Sequence, residues 1–376
     1  MTETGSHELL WPSDPGELRS TLADLCARRN PFLPVGCCGR LGWGAASSSR
    51  TLVSTASLNR IRRLDAEDLT CGVEPGLPLG DFLAAVEERG LAFEPGPFFS
   101  AGRGLAEGRS RSIGGLLGEA APSPRGFDRG SLRSQVLGIR AIDGKGREFQ
   151  AGARVVKNVA GYDLGKLFVG AGGAFFTVIE IQLRLITRPA AQLLLGSPEL
   201  PFGEAVELWR GARLRLHEAR SIDLVFTGEA CRVEASFAGP PAALSANRQQ
   251  PGFRVVAEGE ELWDEHPVGM QETRYDPGHA VLRGRLRPSR LPELGLPAGS
   301  AGRIHRQGAF ELQAGDFGAA RFPGDAIVRA LRHPEKAADV PGDPAAPLRL
   351  LGRRLRQAFG DIVGPGRLSF DTGASA

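Results

Sequence analysis

Cysteine is scarce in this chain and unpatterned. Cys26, Cys37, Cys38, Cys71 and Cys231 are odd in number and contain no C-x-x-C pair, which disfavours a disulfide framework, a structural zinc site and an iron–sulfur cluster. Cys37 and Cys38 are adjacent and could bridge only through a strained ring, so they read as two reduced small residues in a loop. No stretch approaches the roughly 18 continuous apolar residues of a membrane span. The opening MTETGSHELLWPSD lacks a basic segment leading into an apolar run, so no cleaved secretory signal is expected. An excess of one charge is missing too. The 46 basic residues face 43 acidic ones, for a net charge of +3, and the arginines are scattered, which disfavours nucleic acid as a partner. The short Arg-rich stretch from Gly102 to Ser112 reads as a solvated loop rather than a polyanion site. The six histidines show no metal-ligand spacing, and no metal is expected.

What is present suits an ordinary globular protein. The 376 residues are 41% hydrophobic and 24% charged, long enough for two cores. The 51 glycines and 27 prolines gather between short apolar runs, a pattern of many turns rather than long helices. A first helix is expected after Asp14, a capping residue, with Pro15 at its first position and Leu18, Leu22 and Leu25 at helical spacing. FLPV, TLVST and DLTCGV read as strands, and LGDFLAAVEERG as a helix closed by Gly90. About 40 Gly-, Ser-, Arg- and Pro-rich residues follow, and a loop that long inside a compact domain is normally functional. Within it, SIGGLLGEAA could form a short helix. VLGIRAID and REFQAG form an expected hairpin through Asp143-Gly144-Lys145-Gly146. LGKLFVG suggests a helical turn and FFTVIEIQLRLI a strand. The pattern changes near Pro189, and strands mixed with a helix beyond it suggest a small antiparallel α+β domain. The expected division is residues 8–189, 190–340, and a C-terminal basic helix and tail over 341–376.

Three segments carry candidate chemistry. The first is the loop after FLPV, with Gly36, Gly39, Gly42 and Gly44, where backbone N–H groups can curl around phosphate oxygens. It has neither the G-K-[ST] of a P-loop nor a G-x-G-x-x-G helix opening, so a simple tight loop stays open as a reading. Arg40 could pair with a pyrophosphate or be solvated. The second is RSIGGLLG, with Ser112 as a hydroxyl donor and Gly114 and Gly115 permitting close approach. Arg125, in SPRG, adds a cation to the same excursion. The third is VVKNVAGYDL, Val155 to Leu164, a polar knot between two strand-like runs whose side chains must meet each other, the backbone or a ligand. Trp263-Asp264-Glu265-His266 is a weak further candidate.

The order of these pieces, from the glycine loop through GVEPG-x-PLGDFLAAVE, S-IGG-LLGEA and VLGIRAIDGKG to VVKNVAGYDLGKLFVGAGGAFFTVIEIQLRL, resembles FAD-binding domains of the vanillyl-alcohol oxidase, or PCMH, type. Within that superfamily it is most similar to the FAD-binding subunits of bacterial glycolate oxidases. The likeness covers roughly residues 8 to 190, and KNVAGYDL is its most specific motif. It implies an α+β fold with two α+β subdomains around non-covalent FAD and a smaller antiparallel α+β cap. The pyrophosphate would lie at Gly36, Cys37, Cys38, Gly39, Arg40 and Leu41. Ser112, Gly114, Gly115 and the loop to Arg125 would line the cofactor, the strand around Ile179 would pass beside it, and Lys157, Asn158 and Tyr162 would lie near the flavin or brace its loop. Lys157 pairing with Asp163, with a merely packed tyrosine, stays open as well.

No catalytic residue is assigned. The implied role is the FAD-binding subunit of a dehydrogenase complex for a small 2-hydroxy acid such as glycolate, alongside a larger flavin subunit and an iron–sulfur subunit. It would be cytoplasmic, held at the inner membrane through its partners. The alternatives are a cofactor-free scaffold subunit and a free-standing FAD oxidase. The chain departs from the family pattern at Cys37 and Cys38 and at Phe176, where the pattern prefers glycine. Those departures put two thiols and a ring where backbone is expected to meet the cofactor.

Overall fold

Short elements punctuated by glycine assemble, in the computed structural model, around two separate cores. The structure describes residues 8–37, 51–93, 111–120, 132–152, 164–173, 175–227, 230–259, 280–296, 299–306, 309–314, 320–321 and 327–332. After β1 (Glu8–Leu10), helix α1 (Pro15–Ala27) begins at Asp14, whose Oδ1 accepts from the N–H groups of Gly16 and Glu17 at 2.7 and 2.9 Å. Leu18, Leu22 and Leu25 bury its apolar stripe. The helix returns the chain to β2 (Phe32–Val35), and β1 and β2 flank β3 (Thr51–Ser54) as a three-stranded parallel sheet.

A second sheet contains β4 (Ile61–Asp65), β5 (Thr70–Val73), β7 (Val136–Asp143), β8 (Glu148–Gly152) and β9 (Phe176–Arg184). Its order is β4-β5-β9-β7-β8 and every pairing is antiparallel. Asp143 fixes the β7–β8 turn, its Oδ1 accepting from the N–H groups of Lys145 and Arg147 at 2.8 and 2.9 Å. Gly146 supplies the positive φ of 74° that this turn needs. Helix α2 (Leu79–Glu87) ends just before Gly90, also at positive φ, and β6 (Leu91–Ala92) follows, paired with β10 (Ile186–Thr187). Helices α3 (Ile113–Glu119), α4 (Leu132–Gln135) and α5 (Leu164–Phe168) complete this region. Its core runs from Leu18 to Leu185 and takes in both sheets.

The second core, Ala191 to Ala320, lies against one antiparallel sheet of eight strands. These are β11 (Ala191–Gly196), β12 (Ser221–Thr227), β13 (Cys231–Gly239), β14 (Arg254–Gly259), β15 (Ala280–Arg285), β16 (Ala301–His305), β17 (Ala309–Ala314) and β18 (Ile327–Arg332), in the order β14-β11-β13-β12-β16-β17-β15-β18. Helix α6 (Phe202–Arg215) contributes the fully buried Trp209, whose indole N–H donates to the Ile222 carbonyl at 3.2 Å. The expected helices and the β7–β8 hairpin are present. β1 and β4 were not expected: three residues are too few for an alternation signal, and IRRLD carries an adjacent pair of arginines that masks it. The residues expected to form the C-terminal helix and tail, 341–376, lie outside the described residues.

Candidate functional site

The two glycine segments singled out in the sequence meet at one point. Strand β2 ends at Val35, and a methyl group built on Gly36 would lie 2.0 Å from Ser112 Oγ and 3.0 Å from its Cβ. A side chain there would force Ser112 or the loop to move, so glycine suits this crossing. Ser112 is buried at the start of α3, in extended backbone, and its Oγ accepts from the Gly115 N–H at 3.2 Å. Gly115 itself is exposed. The crossing therefore presents a glycine backbone face at the end of a strand.

The first turn of α3 is used differently from expectation. Its N–H groups are taken up inside the protein: Ile113 donates to the Leu77 carbonyl at 3.0 Å, Gly114 to the Pro75 carbonyl at 2.8 Å and Leu116 to the Ser112 carbonyl at 2.9 Å. A methyl on Gly114 would lie 2.8 Å from Pro75 Cβ and 2.9 Å from its carbonyl oxygen. Gly114 thus permits the approach of α3 to the Pro75–Leu77 backbone, a reason internal to the fold. The N-terminus of α3 does not offer a free ring of donors.

At its other end α3 joins the turn that leads into β9. The N–H groups of Gly170 and Gly172 donate to the carbonyls of Leu117 and Gly118 at 2.9 and 3.0 Å. Gly170, Gly172 and Gly173 all have positive φ. A methyl on Gly173 would meet Pro34 of β2 at 3.3 Å, whereas one on Gly172 would meet nothing within 4 Å. The end of β2, the whole of α3 and the entry to β9 therefore form one neighbourhood, walled largely by backbone.

Of the expected site residues, Gly36, Cys37, Ser112, Gly114, Gly115 and Ile179 are described. Cys37 is half-buried next to Gly36. Ile179 is 2% exposed and belongs to the first core. Opposite it the register steps from Arg140↔Glu180 to Ala141↔Val178, so Ile179 is the extra residue of a β-bulge. Cys38, Gly39, Arg40, Leu41, Arg125, Lys157, Asn158 and Tyr162 lie outside the described residues, as does the Trp263–His266 candidate.

Two expectations are corrected. Phe176 stands where the pattern prefers glycine and could intrude on the flavin or its neighbour; its ring is 2% exposed inside the first core, 5.4 Å edge-on from the Phe149 ring and 6.2 Å from that of Phe168. The strand turns it to the α5 side of the sheet, where a glycine would leave a void. The Gly102 to Ser112 stretch was expected to be solvated, yet its last two residues are not: Arg111 is 8% exposed and Ser112 2%. Arg111 is the residue immediately before Ser112, and it is buried. Only burial reveals it, because an arginine in an Arg-rich run looks solvated in sequence.

A second polar concentration, unforeseen in the sequence, lies in the eight-stranded sheet. Arg303 of β16 contacts Glu234 Oε2 at 2.7 Å and Asp223 Oδ2 at 3.6 Å, and all three side chains are nearly fully buried. Arg232 adds a contact to Glu234 at 2.7 Å. Ser221 and Ser236 share a hydroxyl hydrogen bond of 2.7 Å on adjacent strands. The alternation of Ser221 and Asp223 with Ile222 and Leu224, and of Glu234 and Ser236 with Val233 and Ala235, was the available signal of a polar sheet face.

Two thiols are held unreactive. Burial pushes Cys71 up to about 12 and Cys231 up to about 11. Among the described residues, no group of His, Cys, Asp and Glu is arranged to hold a metal. None of the described helices is long and apolar enough to cross a membrane.

The arrangement fits a flat, anionic dinucleotide. Gly115 is exposed, Gly36 is packed against Ser112, and the space at Gly172 is open. The comparisons agree. The family described as FAD binding domain matches residues 7–152. Glycolate oxidase subunit GlcD of Bacillus subtilis is 31% identical over 185 residues, covering 49% of this chain and 38% of that protein. D-2-hydroxyglutarate dehydrogenase of Stutzerimonas stutzeri is 30% identical over 196 residues, 51% of this chain and 40% of the other. Glycolate oxidase subunit GlcE of Escherichia coli is 37% identical over 133 residues, 35% of each. The matched part thus spans about two fifths of these relatives or less. Among solved structures, an alkyldihydroxyacetonephosphate synthase superposes with a TM-score of 0.61 at 12% identity, covering 94% of this chain and 75% of that one, a likeness of fold. The fold is of the PCMH type, as the resemblance implied.

Proposed function

Because its residues 7–152 match the FAD binding domain family, we propose that this chain is the FAD-holding subunit of a dehydrogenase complex that oxidises a small 2-hydroxy acid of the glycolate type. The observation that carries the reading is the crossing of Gly36 and Ser112, which brings the two glycine segments together beside the exposed Gly115. Relatives named glycolate oxidase subunits and D-2-hydroxyglutarate dehydrogenase support the substrate class. Bound there, FAD supplies a two-electron acceptor for the hydroxyl-bearing carbon of such an acid. The chain's own contribution is positional. Gly36 and Gly115 let the backbone approach the pyrophosphate, Arg111 balances its charge, and the Gly170–Gly173 turn holds the β9 strand against α3. The larger flavin subunit and the iron–sulfur subunit would carry electrons onward, and the complex would work in the cytoplasm or at the inner membrane through those partners. The remaining loop residues, Cys38 to Leu41, Arg125, Lys157, Asn158 and Tyr162, belong to this proposal as cofactor contacts.

The test is to purify the chain natively, denature it and measure the absorbance of released flavin. Stoichiometric FAD is the expected result. No flavin, even after co-expression with partner subunits and incubation with FAD, sinks the reading. A cofactor-free scaffold is the second reading, favoured by the thiol side chain of Cys37 beside Gly36. It predicts a stable complex with partner subunits that carries no flavin on this chain.

A further inference from the structure

Thr177, the second residue of β9, is 1% exposed, and its Oγ1 has no hydrogen-bond partner among the described residues. A buried hydroxyl normally finds one, and an exception needs a reason. Valine would fill the same volume and suit a strand at least as well, without burying a polar group. A partner for this hydroxyl has to come from outside the described residues.

The position indicates what that partner is. Thr177 pairs across the sheet with Ile142 of β7. Its neighbour Phe176 packs with Phe149 and Phe168 on the α5 side, so strand alternation turns Thr177 to the opposite side. The strand is entered from the Gly170–Gly173 turn, tied by two hydrogen bonds to the end of α3 and resting at Gly173 on Pro34 of β2. Those are the elements that begin and end at Ser112 and Gly36. The unpartnered hydroxyl therefore stands on the strand that leaves the glycine crossing.

We propose that Thr177 Oγ1 is a cofactor-facing hydroxyl whose partner is a polar atom of bound FAD. The inference rests on the reading of this region as an FAD site. A hydroxyl can donate or accept, so it meets either a carbonyl oxygen or a ring N–H without any proton transfer. Thr177 is accordingly a binding and positioning residue.

The experiment compares wild type with Thr177→Val and Thr177→Ser as full chains. It measures FAD dissociation by flavin fluorescence, the visible flavin spectrum, and melting temperature with and without FAD. The expected result is that Thr177→Val melts no lower than wild type when FAD-free, binds FAD about tenfold more weakly, as loss of roughly one hydrogen bond requires, and shifts the flavin bands. Thr177→Ser should bind like wild type and guards against a fold defect in the valine variant. Wild-type affinity and spectrum in a folded Thr177→Val overturn the inference and leave the FAD reading intact. A wild type that takes up no FAD overturns the FAD reading, and this inference with it.

Discussion

In the eight-stranded sheet, Asp223, Glu234 and Arg303 come from three neighbouring strands and close on one another, with Arg232 completing the balance of charge. In the first region, by contrast, the buried Thr177 hydroxyl has no partner among the described residues, and Gly36 is packed directly against Ser112. Both regions bury polar groups, and in the second the carboxylates of Asp223 and Glu234 face Arg303 within the sheet. A closed network of ions holds a structure in register and has little left to offer a ligand. Unsatisfied groups and missing side chains are weaknesses of a fold unless something else fills them. Under the proposed function, the second region's ion cluster serves stability and the first region's glycine crossing serves binding.

The largest effect should come from breaking the closed network. Arg303→Met removes the cation between Asp223 and Glu234, takes the buried Asp223 carboxylate's ion pair away and leaves Glu234 to Arg232 alone, which should cost about 3–5 kcal/mol. Denaturant unfolding followed by Trp209 fluorescence reports on this core, since that indole is fully buried in it. FAD affinity of the folded fraction should stay at the wild-type value. A change in flavin affinity as large as the change in stability would dissolve the contrast between the two regions.

Much of the first region was legible because its signals are local. Asp14 and Pro15 mark a helix start, Asp143 to Gly146 mark a hairpin, and each needs only a few neighbouring residues to act. The motif order gave the fold family for the same reason. What stayed hidden depends on residues far apart in sequence. Arg303 and Glu234 are 69 residues apart, and nothing near either one states that they meet. Gly36 and Ser112 were each visible as parts of glycine segments, but that one occupies the space of the other's missing side chain emerges only in the folded chain. Phe176 failed for the opposite reason. Its place in the motif pointed to the cofactor, while its packing partners, Phe149 and Phe168, lie 27 and 8 residues upstream and drew it into the core.

An intermediate effect is expected in alkaline solution, where the two cores can be compared through their thiols. An unfolded Cys71 loses its proton near the usual value of 9.0, whereas the folded one holds it to about 12. Between those limits the unfolded state binds fewer protons, so stability falls as pH rises, and it is undiminished below about pH 9. At pH 11 the loss from Cys71 alone should be roughly 2–3 kcal/mol. Cys231 adds a loss of the same sign that is complete nearer pH 11. Comparing unfolding at pH 8 and pH 11 in wild type and Cys71→Ala checks the assignment. The variant should lose less stability on going to high pH, and an equal loss in both proteins would mean that other groups govern the alkaline limb.

The smallest expected change in stability, and the sharpest in binding, belongs to Gly36→Ala. Its new methyl would lie 2.0 Å from Ser112 Oγ, so the loop, the serine or both must move. Overpacking of this kind costs about 1–3 kcal/mol, and the low end is expected here because the crossing is half-buried and can give way. The displaced backbone is the surface proposed to meet the pyrophosphate, so FAD affinity should fall by more than stability does. Adding Ser112→Gly restores the space while removing the hydroxyl that accepts from Gly115. The double variant should therefore regain binding over Gly36→Ala while remaining slightly less stable than wild type, a coupling that a thermodynamic cycle measures directly. If Gly36→Ala lowers stability and leaves FAD affinity untouched, the crossing is a packing feature, and the first region handles its bare backbone as internally as the second handles its ions.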